Sequence, residues 1–352
     1  MISAIPHKKD TDIRMHHKFS QFGNFSAAAL LLGGILVGGA AQAQDLQGAG
    51  STFVNPIMTH WTADYQKTAG VSINYQPVGS GAGINDLVAK TVDFAGSDAP
   101  MNAGQLASAG APVLHFPDVI GAVPVVYNVD GVGPGIHLSG DVIANIFLGK
   151  ITKWNDPAIT SLNPTSKFPD ASIFIVHRSD GSGTTGIFTD YLARVSPEWH
   201  DLVGEGTSVK WPAGLGAKGS AGVAGLMRTH PNSIGYVELS YAVQNVIYYA
   251  SVQNSKGKFV YPTPESAAAE ASNIKVPSDF RTFFTDGSAA NGYPISGFSW
   301  LILYKDSPKT DQLKKFITWV LTDGQQYCKD LDYAPIPDSV KSKELAALAT
   351  LK

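Results

Sequence analysis

Short apolar runs alternate with helix-forming patterns along most of this sequence, and that alternation restricts the fold more than any other feature. The runs are VSINYQP (Val71 to Pro77), TVDFAG (Thr91 to Gly96), VPVVYNV (Val123 to Val129) and SIFIVH (Ser172 to His177). The helices between them carry their own signals. Asn55-Pro56 is a cap followed by a first-turn proline, after which Ile57, Trp61 and Tyr65 recur at four-residue spacing. SGDVIANIFLGK (Ser139 to Lys150), TTGIFTDYLARV (Thr184 to Val195) and DQLKKFITWVLTD (Asp311 to Asp323) predict further helices. Repeated strand and helix means an α/β fold with helices on the faces of the sheets. VIYYASVQNSKGKFVYPT (Val246 to Thr263) is a local exception, a hairpin around Ser255-Lys256-Gly257.

Ahead of the first strand, Lys8, Lys9, Arg14 and Lys18 precede the apolar run Ser26 to Ala40 and then AQA. This is the pattern of a cleavable secretory signal peptide over residues 1–43, with Met15 as an alternative start to Met1. The run is shorter than the ~20 residues a bilayer helix needs, and no cysteine lies near the cut to carry a lipid, so a soluble product is expected. What remains, residues 44–352, exceeds the usual size of a single core. No repeat and no linker divides it, so two lobes would have to be joined by crossing strands. DVIGAVPVVYN (Asp118 to Asn128) and YPISGFSWLILYK (Tyr293 to Lys305) are the candidates. Two crossings make a discontinuous first lobe, 44–120 with 296–352, and a second lobe of 121–295.

Composition excludes some partners. The chain has 26 Lys and Arg against 29 Asp and Glu; removing the leader takes four of the former and two of the latter, leaving a net charge of about −5. No nucleic-acid surface is expected. Cys328 is the only cysteine, so no intrachain disulfide can form.

Four stretches carry the chemistry: GAGSTF (Gly48 to Phe53), VGSGAG (Val78 to Gly83), GSDAP (Gly96 to Pro100) and RSDGSGTTG (Arg178 to Gly186). Three join a strand candidate to a helix candidate, which sets hydroxyls and free N–H groups at helix N-termini, where anions bind. A serine cap and a glycine turn account for any one loop alone. Four together, with one arginine between two carboxylates, favour an anion site. GSGTTG and GLGAKG (Gly214 to Gly219) also match a dinucleotide fingerprint. With 36 glycines in the chain the match is cheap, and Asp180 would oppose a pyrophosphate. No G-x-S-x-G frame surrounds Ser51, Ser80, Ser97 or Ser182, His177 ends a buried strand, and no metal-ligand spacing exists. No catalytic residue, metal or cofactor is therefore expected.

A carboxylate in an anion site has a use. Near neutral pH phosphate still carries a proton that a carboxylate can accept, whereas sulfate carries none. Asp180, two residues from Arg178, is assigned to pairing with the guanidinium. Asp98 is then the acceptor for the ligand proton; the alternative is that it caps a helix.

The longer stretches GAGSTFVNPIMTHWTADYQKTAG, NYQPVGSGAGINDLVAKTVDFAGSDAPM, DGSGTTGIFTDYLARV, VKWPAGLGAKG, NSIGYVE and DLDYAPIPDSV together resemble the phosphate-binding proteins of bacterial phosphate ABC transporters, from about Asp45 to about Val340. The resemblance implies a type II periplasmic-binding-protein fold, two lobes closing on a ligand cleft like a flytrap. It implies high-affinity binding of inorganic phosphate in the periplasm by a monomer, and delivery to an inner-membrane permease with its ATPase. A sulfate or molybdate receptor, or a secreted phosphatase, are the alternatives. The ligands implied are Thr52, Phe53 (by its N–H), Ser80 and Asp98 from the first lobe, and Arg178, Ser182, Gly183 and Thr184 from the second, with Asp180 paired to Arg178. Ser51, Gly81 and His177 depart from the family's usual residues beside these positions, and the leader is longer than usual.

Overall fold

A computed structural model describes residues 45–351. The signal peptide expected over residues 1–43 lies outside the described residues. Thirteen strands are found among those described: β1 (Leu46–Gly50), β2 (Ile73–Gln76), β3 (Phe94–Ser97), β4 (Val113–Ala122), β5 (Val125–Asn128), β6 (His137–Leu138), β7 (Phe174–Arg178), β8 (Leu215–Ala217), β9 (Ser233–Tyr236), β10 (Tyr248–Tyr249), β11 (Ser251–Gln253), β12 (Phe259–Val260) and β13 (Ser296–Tyr304). They form two five-stranded sheets, ordered β2-β1-β3-β13-β4 and β10-β5-β9-β7-β8, and a small sheet β12-β11-β6. The first large sheet draws its strands from both ends of the described chain.

Both large sheets are mixed rather than parallel throughout. β1, β2 and β3 run parallel, while β13 lies antiparallel between β3 and β4. In the second sheet β7 is parallel to β8 and β9, and β5 is antiparallel to β9. The predicted hairpin is present as β11 and β12, but β10 leaves it to pair with β5.

Most helices follow their signals, but the cap expected at Asn55 is not made: Asn55 is already the first helical residue, and Val54 stands at the cap without a side-chain hydrogen bond. Pro56 lies in the first turn of this Asn55–Ala69 helix, Gly70 in left-handed geometry ends it, and Ile57, Met58, Trp61 and Tyr65 are its buried residues. Tyr65 packs 5.2 Å from Phe316 of the Thr310–Leu321 helix, and Trp61 Nε1 donates to the Gly324 carbonyl at 2.8 Å. Chain end and chain start are thus fastened together over one core. On the opposite side of β1, a Cβ on Gly83 would lie 2.3 Å from the Gly50 Cα. Only glycine lets the Ser80–Val88 helix press this closely on the strand.

The chain passes between the two large sheets twice, at neighbouring points. Val123, just after β4, donates its N–H to the Ile295 carbonyl, just before β13, at 2.8 Å, and the Tyr293 hydroxyl donates to the Val123 carbonyl at 3.3 Å.

Candidate functional site

All four loops, one more than the sequence predicts, run from the end of a strand toward a helix. β1 leads through Ser51–Val54 to the helix at Asn55, β2 to the helix at Ser80, β3 through Asp98 to the Ala103–Ala109 helix, and β7 through Asp180 to the Gly183–Val195 helix. Three belong to the first sheet and one to the second, and the structure closes them on one another. Thr52, Ser80, Asp98, Arg178, Ser182 and Thr184 are all buried.

Contacts between the two sets are direct. Ser80 Oγ accepts from the Gly183 N–H at 3.0 Å and from the Asp98 N–H at 3.3 Å. Those two acceptances leave the Ser80 proton free to donate. Thr184 Oγ1 donates to Asp98 Oδ2 at 3.3 Å, and the Ser51 hydroxyl donates to Asp98 Oδ1. Gly81 N–H donates to the Gly181 carbonyl at 2.9 Å. A Cβ on Gly183 would stand 2.5 Å from the Asp98 backbone nitrogen, so glycine is required for this approach.

Asp98 is not a helix cap. That place belongs to Asn102, whose side chain accepts from the Gln105 N–H in a capping box. Burial pushes the Asp98 carboxyl up to about 6, against the opposing pull of the Ser51 hydrogen bond, the Arg178 charge and Thr184. It is therefore mostly ionised at neutral pH. A carboxylate has about four acceptor positions, and two hydroxyls leave room for a further donor.

Arg178, at the end of β7, makes a bidentate pair with Asp180: Nε to Oδ1 at 2.8 Å and Nη2 to Oδ2 at 2.6 Å. Burial alone would raise the Asp180 carboxyl, but the hydrogen bonds and charge of Arg178 outweigh it and hold it low. Asp180 Oδ1 also accepts from the Gly219 N–H at 3.0 Å. Ser182 caps the Gly183–Val195 helix by accepting from the Thr185 N–H at 3.1 Å, which leaves its own proton free. The Phe53 ring lies in the core, 6.1 Å from that of Tyr333, so only its backbone could serve a ligand.

Some residues here were not singled out by the sequence reading. Ser220, in the first turn of the Gly219–Thr229 helix, shares a 2.9 Å contact between its hydroxyl and that of Thr52, and its N–H donates to Thr52 Oγ1 at 3.1 Å. The signal was present, a serine directly after GLGAKG, but that stretch drew notice only as a glycine pattern. Ser51 was noted as lying beside the site, whereas its hydroxyl is on Asp98. Tyr236, whose hydroxyl contacts Thr185 Oγ1 at 2.6 Å and accepts from the Arg178 N–H at 3.2 Å, gave no local signal.

The arrangement gathers the first turns of three helices, a guanidinium paired with the Asp180 carboxylate, several hydroxyls and a second carboxylate, Asp98. It suits a small oxyanion that has a proton to give. Among the described residues no group of three or more His, Cys, Asp or Glu could hold a metal ion.

A family model described as a PBP superfamily domain matches residues 37–324. The chain is 44% identical over 301 residues to the Phosphate-binding protein PstS of Xylella fastidiosa, covering 84% of this chain and 82% of that one. It is 44% identical over 308 residues to the protein of the same name from Haemophilus influenzae, covering 86% and 92%. Among solved structures, a phosphate-binding protein from Stenotrophomonas maltophilia superposes with a TM-score of 0.67 at 18% identity, covering 86% of this chain and 93% of that one. A putative phosphate ABC transporter substrate-binding protein with bound phosphate from Clostridium perfringens gives 0.63 at 21%, covering 84% and 100%.

Proposed function

The chain belongs to the PBP superfamily and, within it, to the PstS phosphate-binding proteins, and from that premise we propose that it is a periplasmic receptor that binds inorganic phosphate and delivers it to an ABC-type permease in the inner membrane. The observation that carries this is the Asp98 carboxylate, buried among hydroxyls and N–H groups and, unlike Asp180, not taken up by an arginine. An acceptor there is a loss against a fully deprotonated anion and a gain against one with a proton.

In this reading Thr52, the Phe53 N–H, Ser80, Ser182, Gly183 and Thr184 donate to the phosphate oxygens and Arg178, held in place by Asp180, neutralises charge. Asp98 accepts the phosphate proton. Residues 44–120 with 296–352 form one lobe and 121–295 the other, and they close about the crossings near Val123 and Ile295. Neither lobe alone supplies the full donor set, so closure and binding are one event. The permease would read the closed form. Binding without turnover is part of this reading.

Titration calorimetry of anion-free protein tests this. One site for phosphate and at least about 10⁴-fold weaker binding of sulfate is the expected result, the discrimination attainable when a buried acceptor is left without its donor. Equal binding of the two anions, or no binding of either, removes the proposal.

A further inference from the structure

Behind the site a second buried carboxyl faces the same loop from the other sheet. Glu238 follows β9 and caps the Leu239–Gln244 helix, its Oε1 accepting from the Ser240 N–H at 2.9 Å. Its Oε2 lies 3.3 Å from the Tyr333 hydroxyl, which lies 2.6 Å from the Phe53 carbonyl oxygen. A phenol has one proton, and a carbonyl can only accept. Tyr333 therefore gives its proton along the shorter contact to Phe53, and its own oxygen is left to accept. Glu238 Oε2 can satisfy that oxygen only by carrying a proton itself.

The bonds continue beyond Phe53. Its carbonyl shares a peptide unit with the Val54 N–H, which donates to Ser51 Oγ at 3.4 Å, and the Ser51 hydroxyl donates to Asp98 Oδ1. A run of hydrogen bonds, each polarising the next, thus leads from Glu238 to the Asp98 carboxylate. We infer that Glu238 is a positioning residue of the anion site, held as a neutral acid, which through Tyr333 fixes the Ser51–Val54 loop and the direction of Asp98.

The surroundings of Glu238 agree. Burial holds its carboxyl well above the usual range, the hydrogen bonds from Ser240 and Tyr241 oppose this less strongly, and the Asp332 charge adds to it. Tyr241 on its own helix, pushed up to about 12, and Tyr333 across from it, raised well above 10, both by burial first, are neutral phenols.

This inference rests on the phosphate-receptor reading, and the experiment separates the two. Phosphate affinity would be measured by calorimetry from pH 6 to 9 for the wild type, Glu238→Gln, Glu238→Ala, Tyr333→Phe and the Glu238→Gln/Tyr333→Phe double variant. The amide of Gln can both donate to Tyr333 and accept from Ser240, so Glu238→Gln should stay within about twofold of the wild type, while Glu238→Ala and Tyr333→Phe lose about tenfold, the worth of one hydrogen bond. Adding Glu238→Gln to Tyr333→Phe should change nothing further. Glu238→Gln as weak as Glu238→Ala, or Glu238→Ala as tight as the wild type, overturns the inference. Should Glu238→Ala not fold, the Gln and Tyr333 variants decide alone. Should the wild type bind no phosphate, the receptor reading fails instead, and the infrared difference between wild type and Glu238→Gln still shows whether a protonated carboxyl stretch belongs to Glu238.

Discussion

In the proposed receptor, Asp98 is the residue on which selectivity turns. In Asp98→Asn the acceptor becomes partly a donor and the negative charge disappears. Phosphate affinity should fall by about 10- to 100-fold, and sulfate affinity should rise, so that the gap between them closes from both sides. Competition calorimetry with the two anions checks this, and an unchanged gap would assign the role to another carboxylate. Ionised Asp98 is also what the wild type needs, so phosphate affinity should weaken as pH falls through about 6, a dependence the Asn variant should lack. Residues of this kind were legible because their chemistry is unusual in place: an aspartate in a Gly and Ser run, an arginine two positions from another. Ser220 and Tyr236 were not legible, because serine and tyrosine are ordinary and their partners, Thr52 and Thr185, are 168 and 51 positions away.

Helix beginnings show the same limit at the next scale. Where a helix starts could be read from Pro56, Ser139 and Ser182, but what satisfies its first N–H groups is sometimes supplied by the other sheet. Lys218 offers the Gly219–Thr229 helix no side-chain cap, and Thr52 takes that role for Ser220. Ser80 does likewise for Gly183. Contact between the two sets of loops therefore completes two helix caps, each worth about 1 kcal/mol. Gly183→Ala tests the closeness this demands: its methyl would meet the Asp98 backbone, so phosphate affinity should drop by about 10- to 100-fold, as for a forced overpacking. Circular dichroism should show the helices intact, and an unaffected affinity would mean that the loops need not approach. Strand pairing was less legible than helix position. Regular strand-helix alternation implies parallel neighbours, and nothing local in SGFSWLILY reveals that β13 enters antiparallel between β3 and β4.

Across the whole molecule, buried carboxyls set the pH response. Burial raises Asp98 to about 6, Glu270 to about 7 and Glu344 to about 9, and holds Asp118 well above its usual range. Asp118 sits at a register break in the β4–β13 pairing, and neither its oxygens nor those of Glu344 have a hydrogen-bond partner. A carboxyl raised on folding contributes stability in full below its unfolded value of about 4 and loses it as pH climbs through the folded value. Asp180, held low by Arg178, acts in the opposite sense, its contribution present above about pH 4 and lost in stronger acid. Anion-free protein should accordingly be most stable between about pH 4 and 6 and melt roughly 5 °C lower at pH 9. Scanning calorimetry across that range checks it, and a melting temperature that rises toward pH 9 would place these carboxyls in contact with water.

The position of β13 also sets a timetable for synthesis. It is the last strand of the described chain, yet it lies between β3 and β4 and is hydrogen-bonded to both. A chain emerging from the ribosome can assemble its second sheet as soon as Tyr249 is available, while the first waits, split in two, until Tyr304 arrives. The first residues of the described chain are thus among the last to find their places, and the leading strands stay pliable until the closing one has been made.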